Sequence, residues 1–404
     1  MTKTPLKHLV RLNELSLGED TDPEGLIRYL DIGSVSTGVL VEEPKTMSFS
    51  EAPSRARRLV REGDTIVSTV RTYLRAVWPV RQSASGLVVS TGFAVLTPRP
   101  ELDSRYLGWI AQSDPFVDGV VARSVGVSYP AVNPSEIGEL RIDLPPLSVQ
   151  RAIADYLDTE TASIDALISR KQQLVSLLQQ RRWLFFLELL NATDAPVAPL
   201  RRALLGVVDG PFGSAFSSAD YVDQGVGVIR LGNIGFARWR GDDLVYLPEE
   251  RFAEFRGHSV RQGDLLIAAL GDPKNHAGRA CVAPDLGNAI VKGKCFRATV
   301  DTAVADPHFL ALFCSSPAGA DAIATEVRGS TRSMINLDIV KSMQVRLPDL
   351  ETQTSIVADT SANWVLVDRL LSQLSAQVSL FHEHRAALIT AAVTGELKIP
   401  GVAS

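Results

Sequence analysis

Cysteine is scarce in this chain of 404 residues. The three present, Cys281, Cys295 and Cys314, all fall in the second half and form no CxxC pair. An odd number without paired spacing argues against a disulfide framework and points to a reducing, cytoplasmic setting. Long apolar runs are missing too. Stretches such as Trp183 to Leu187 are far too short to cross a bilayer, so no membrane association is expected. The opening Met1-Thr2-Lys3-Thr4-Pro5 has no apolar core of a leader, which predicts no signal peptide. There is no GxxxxGK[ST] loop for a nucleoside triphosphate. Gly225-Val226-Gly227 lacks the third glycine of a dinucleotide site. An amino-methylating enzyme would need an Asn/Asp-Pro-Pro-aromatic loop, and Asp114-Pro115-Phe116 is one proline short. A nuclease pattern drawn from Asp349 with Glu396-Leu397-Lys398 is loose and common by chance. His382 and His384 stand two apart on a helical pattern and so face different directions, which rules out a shared metal. These gaps predict a chain that is not an enzyme and holds no cofactor of its own.

Excess positive charge is also lacking. The net charge is −5, with hydrophobic residues at 45% and charged residues at 22%. The whole chain therefore has no basic footprint for nucleic acid, although Arg55, Arg57, Arg58, Arg61, Arg71, Arg75 and Arg81 make one segment locally basic. A solvated face would produce the same run.

What is present is a repeat. Val60-Arg61-Glu62-Gly63-Asp64 returns as Val260-Arg261-Gln262-Gly263-Asp264, Phe93 as Phe296 and Asn133 as Asn336. Leu144-Pro145-Pro146-Leu147 returns as Leu347-Pro348-Asp349-Leu350, each followed by a glutamine, Gln150 or Gln353. After each glutamine the pattern changes from short β-branched runs to a helical period. The first stripe is Ile153, Leu157, Ile164, Leu167, Leu174 and Leu178, without Gly or Pro until Pro196. The second is Ile356, Val367, Leu370, Leu374, Val378, Phe381 and on to Leu388. Some 40 residues of helix with a narrow stripe is about 60 Å of coiled-coil arm. The reading is α+β: two β-rich mixed modules separated by two long helices packed as an antiparallel coiled coil, a pseudo-twofold internal repeat. The expected segments are 1–145, first module; 146–192, first long helix; 193–346, second module; 347–404, second long helix and tail.

The pattern resembles the specificity subunit of Type I restriction–modification enzymes along nearly the whole chain. Three stretches carry the resemblance: Leu144 to Gln150 with Ile153-Ala154 and Ile164 to Ile168; its echo, Leu347 to Gln353 with Val367-Asp368; and the tail, Arg385 to Ile389 followed by Ala392-Val393-Thr394-Gly395-Glu396-Leu397. Asp209 to Ser214 with Gly227 to Ile234 is similar to the opening of that family's second target-recognition domains. Ala358-Asp359-Thr360-Ser361 departs from the family's Ala-x-x-Leu-Asp. The resemblance implies a non-catalytic reader of a split site in double-stranded DNA. It implies docking of modification (methyltransferase) subunits that carry S-adenosylmethionine, and of a restriction subunit that translocates DNA with ATP and Mg. A specificity subunit of a methylation-only system, or a protein-binding scaffold on a coiled-coil hinge, stays open as an alternative.

Comparison of the two copies suggests where such reading would occur. The offset between them is 200 at Asp64/Asp264 and 203 at Phe93/Phe296. The length change lies where Ser68 to Arg75 faces Ala268 to Arg279. A shared frame around a divergent loop is expected if each loop reads a different half-site, though surface loops also drift. Arg71, Tyr73, Arg75, Lys274, Asn275, His276 and Arg279 have the chemistry for base edges and phosphates. A solvated loop histidine is the rival reading of His276. A second divergent pair is Ser128-Tyr129 against Thr331-Arg332.

Overall fold

A computed structural model describes residues 3–81, 84–127, 129–211, 215–326 and 334–400. The chain divides into two units, residues 1–172 with 375–404, and residues 173–374. Each unit holds one β-rich module and part of each long helix.

In the first unit a four-stranded antiparallel sheet runs in the order Val10–Leu12, Phe93–Pro98, Thr65–Ser68, Val77–Pro79. A second sheet orders Lys45–Ser48, Leu26–Leu30, Leu87–Ser90, Ala56–Leu59, its middle pair parallel. Lys3–Pro5 pairs with Arg141–Asp143 and ties the module's two ends together. The second unit repeats this plan. Its four-stranded sheet is Leu204–Asp209, Cys295–Val300, Leu265–Ala268, Ala280–Val282. Its mixed sheet is Val245–Leu247, Val226–Ile229, Ala289–Val291, and its closing pair is Val197–Pro199 with Gln344–Arg346. The β-branched residues Ile66 and Val67 lie in the strand Thr65–Ser68, and Val88 and Val89 in the strand Leu87–Ser90. A helix spans Ser104–Gln112, and Asp103 caps it by accepting the Arg105 and Tyr106 N–H groups.

The long helices are Leu147–Asn191 and Leu350–Thr394. Neither contains Gly or Pro, and Gly395, with φ +78°, follows the second as its left-handed cap. The repeated glutamines explain how each helix starts. Gln150 Nε2 donates to the carbonyls of Pro145 (2.8 Å) and Glu101 (3.0 Å), while its Oε1 accepts from the Asp103 N–H (2.8 Å). Gln353 makes the same three bonds, to Pro348, Val304 and Asp306. A buried amide with every bond satisfied fixes the helix start on its module.

The helices run antiparallel. In the first unit Asp165 meets Arg385 and Lys171 meets Gln377. In the second, Arg182 meets Asp368, and Trp364 donates to the Arg182 carbonyl. The expected stripe is only partly a core. Ile153, Leu157 and Ile164 are buried, as are Ile356 and Val367, but Leu167, Leu174 and Leu370 are exposed and Ile168 is buried instead. Several of the buried helix positions pack into a module's core. Phe186, Leu190, Ile356 and Trp364 join the core around Phe309 and Val345. Ile153, Leu157, Ile389 and Ala392 join the one around Tyr106 and Trp109.

Candidate nucleic-acid interface

In both units two loops distant in sequence are stitched together. In the first, Val70 bridges Ala131, the Val132 N–H donates to the Thr69 carbonyl (2.9 Å) and the Arg71 N–H to the Pro130 carbonyl (2.7 Å). In the second, Leu270 bridges Met334 and the Ile335 N–H donates to the Ala269 carbonyl (2.8 Å). The partners correspond at the repeat's own offsets, 200 for the first loop and 203 for the second. Each unit thus presents one composite surface built from the two segments where the copies diverge.

The first surface is held by backbone geometry as well as by bonds. Arg71 (φ 49°) and Arg75 (φ 55°) flank a single 3₁₀ turn, Thr72–Leu74, and both are left-handed. A left-handed residue other than glycine costs about 1–2 kcal/mol, so the packing around this turn over-determines it. Thr72 Oγ1 lies 2.7 Å from Ser124 Oγ. The Arg71 guanidinium stacks 4.7 Å above the exposed Tyr129 ring, with no acid in ion-pair range among the described residues. Tyr73 projects into solvent. Arg75 is different. It is half-buried and bonded to Asp114, with Asp118 at 3.9 Å, so much of its charge is already answered. Ser128 lies outside the described residues.

The second surface is a tight turn. Asp272 and Asn275 exchange both backbone hydrogen bonds, and the Asp272 carboxylate accepts from the Lys274 N–H (2.8 Å), the Asn275 N–H and Asn275 Nδ2. These donors hold the Asp272 carboxyl below the usual carboxylate range. The turn leaves the Lys274 side chain exposed and half-buries Asn275. His276 is part-buried; its ring nitrogens face the carbonyls of Ala277 (2.8 Å) and Ser315 (3.3 Å), and the ring packs on Phe236. Beside the turn a cleft of about 520 Å³ opens, floored by Ala320, Ile323 and Ile335.

Arg279 requires a correction. It is 4% exposed, and its guanidinium donates to the carbonyls of Ile234, Leu231, Leu270 and His276. Burial pulls its pKa down from the ordinary arginine value. With four of its N–H groups committed to backbone, it braces the turn from beneath and is not available to a ligand. Thr331 and Arg332 lie outside the described residues.

Other features bear on catalysis and metals. The three cysteines are buried, free and pushed up to about 12 by desolvation. Among the described residues no group of three or more His, Cys, Asp or Glu could hold a metal ion. No described helix is long and apolar enough to cross a membrane.

No family model matches the chain. Curated relatives do. The chain is 22% identical over 334 residues to the Type I restriction enzyme EcoKI specificity subunit of Escherichia coli (strain K12), covering 75% of this chain and 68% of that protein. It is 20% identical over 313 residues to the EcoBI specificity subunit of Escherichia coli, covering 70% and 64%. Among solved structures, one chain from a study of complex assembly and conformational transition in a type I R-M system matches 98% of this chain and 100% of its own length. Its TM-score is 0.63 at 22% identity, a likeness of fold.

The chain is thus similar to Type I specificity subunits over about three quarters of its length. The two units with long helices passing through both are the architecture the resemblance implied. Sequence comparison missed the bracing role of Arg279. It also missed the ion pairs between the helices, although their partners repeat at the same offset of 203 as Gln150 and Gln353.

Proposed function

We propose that this chain selects a split double-stranded DNA target, one half per module, within a Type I complex. The observation that carries the reading is the stitched pair of loops, kept as a frame in both units and changed in its side chains. Arg71, Tyr73 and Tyr129 stand at the tip in one unit and Lys274 and Asn275 in the other. A common frame with different donors suits two different half-sequences, because base edges are discriminated by which donors, acceptors and methyls they meet. The long helices set the distance between the half-sites. Their exposed leucines, Leu167, Leu174 and Leu370 among them, offer apolar surface for modification subunits. Methyl transfer from S-adenosylmethionine takes place on those subunits, with the target adenine turned out of the duplex. ATP and Mg belong to the restriction subunit, and this chain supplies no reacting group.

The test is methylome mapping in a host with and without this chain beside its modification subunits. A two-part methylated motif that disappears with the chain is the expected result. Exchange of residues 68–75 and 124–132 for those of another specificity subunit should change one half of the motif only. A motif of one continuous block, or one indifferent to the exchange, would refute the reading.

A further inference from the structure

The tip of the first surface is unusually apolar for something facing water. Val127 is 100% exposed, Val125 80% and Tyr129 67%, with Tyr73 and Leu74 more than half exposed alongside. Large aliphatic and aromatic side chains gathered on one exposed loop cluster mark a binding surface rather than a solvated one. The backbone beneath them has a specific form. Val125 and Ala131 donate to each other's carbonyls at 2.8 and 3.0 Å, a single bridge that closes the loop carrying Val127 and Tyr129. The B-DNA major groove offers one apolar feature, the thymine C5 methyl group. The second surface carries a different chemistry on the equivalent frame, with Lys274 and Asn275 leading.

We propose that the first module recognises its half-site through thymine methyl groups, which the exposed Val125 and Val127 side chains contact. Arg71, held on the Tyr129 ring, reaches an adjacent guanine edge or phosphate. This rests on the DNA-reading function above and names the base chemistry of one half. The cation–π stack fixes Arg71 beside the apolar tip, so a thymine next to a guanine or a phosphate acceptor is the element the surface matches. The second half-site, met by polar groups, does not depend on methyls to the same degree.

The test uses the full chain assembled with its modification subunits. Two randomised duplex libraries are selected against the complex, one containing thymine and the other deoxyuridine, which keeps the pairing edges and lacks the methyl. Binding of the selected two-part sequence is then compared in both forms. Loss of one buried methyl contact is expected to weaken binding about fourfold per thymine contacted, in one half-site only. The Val127→Ser complex should lose the share of that discrimination that Val127 supplies while binding the deoxyuridine duplex as the parent does. Val127 is fully exposed, so the substitution has no core to disturb. Equal binding of thymine and deoxyuridine duplexes by the parent complex overturns the methyl reading and leaves DNA selection standing. Selection of no motif from either library overturns DNA selection itself. If Val127→Ser instead releases the modification subunits while the thymine preference persists, the tip is a protein contact and the proposal fails.

Discussion

Arg182 donates to Asp368 at 3.0 Å, and each of these residues has a counterpart 203 positions away. Arg385 and Asp165 form the counterpart bond, also at 3.0 Å. The first pair lies in one unit and the second in the other, with the donor coming from opposite helices. One contact thus occurs twice, with donor and acceptor exchanged between the two helices. The two copies differ in setting. Both arginines are largely buried, the Arg182 side chain 16% exposed and that of Arg385 13%. Arg182 also stacks on Trp364 at 3.8 Å and shares Asp368 with Arg238, and Asp368 is the less exposed acid, at 32% against 48% for Asp165.

Asp368→Asn should therefore destabilise the second unit by about 1–3 kcal/mol, because it strands a largely buried guanidinium. Asp165→Asn should cost less, because Asp165 is the more exposed acid and bonds one guanidinium where Asp368 bonds two. Urea unfolding of the two variants measures both. Equal losses would show that burial does not separate the pairs.

The candidate arginines should separate in the same way. Arg71→Ala removes an unpaired cation at the surface, so complex formation on DNA should weaken by about 1–3 kcal/mol with stability unchanged. A base contact would also relax preference at one half-site, and a phosphate contact would flatten the salt dependence. Arg75→Ala should first loosen the loop from Asp114, which hydrogen exchange at residues 72–76 would report. Arg279→Ala should cost about 3 kcal/mol or more, because it leaves four carbonyls short of a donor. A stable Arg279→Ala variant with altered DNA preference would reverse that assignment.

The cysteines give a check on both core and pH dependence. Burial raises each thiol to about 12, so at pH 8 the thiolate that reacts with a disulfide reagent is absent from the folded chain. None of Cys281, Cys295 and Cys314 should react before unfolding, and all three should react after it. The folded values lie above the unfolded one. The thiols' contribution to stability is therefore complete below the ordinary thiol value and is lost as pH rises from there toward 12. Prompt labelling of any one of them in the native chain would contradict its burial.

The sequence displays the repeat, the helices and the loops because each is written in local pattern: identity at a fixed offset, a 3- to 4-residue period, a change of length. It hides what depends on packing between distant segments. Arg75 and Arg279 look alike in alignment. Yet Arg279 is covered by the carbonyls of Leu231 and Ile234, some 45 residues upstream, while Arg75 meets carboxylates across the loop. The stripe of the first helix likewise says which face is apolar and not how far the modules cover it, so Leu174 reads as core and is exposed. The exposed apolar side chains of Val125 and Val127 carry no period that would single them out in the sequence.

The proposed spacer role of the helices makes the most demanding prediction. Lys171 bonds Gln377 at 2.7 Å, so residues 172–178 of the first helix lie opposite 371–377 of the second. The exposed leucines Leu174 and Leu177 fall in the first stretch. Removing one heptad from each helix keeps the apolar stripe in phase and shortens both by about 10 Å at 1.5 Å per residue. Base pairs stack at about 3.4 Å, so the preferred half-sites should move about three base pairs closer, each half-sequence unchanged. Three base pairs also turn one half-site by roughly a third of a helical turn relative to the other, on a repeat of about 10 base pairs. The shortened complex should consequently bind its new optimum less tightly than the parent binds its own. Selection from duplexes carrying both half-sequences at every spacing reads the optimum directly. A trimmed protein that stays folded and keeps the parental spacing at full affinity would show that the helices do not set the distance and serve only as a platform for the modification subunits.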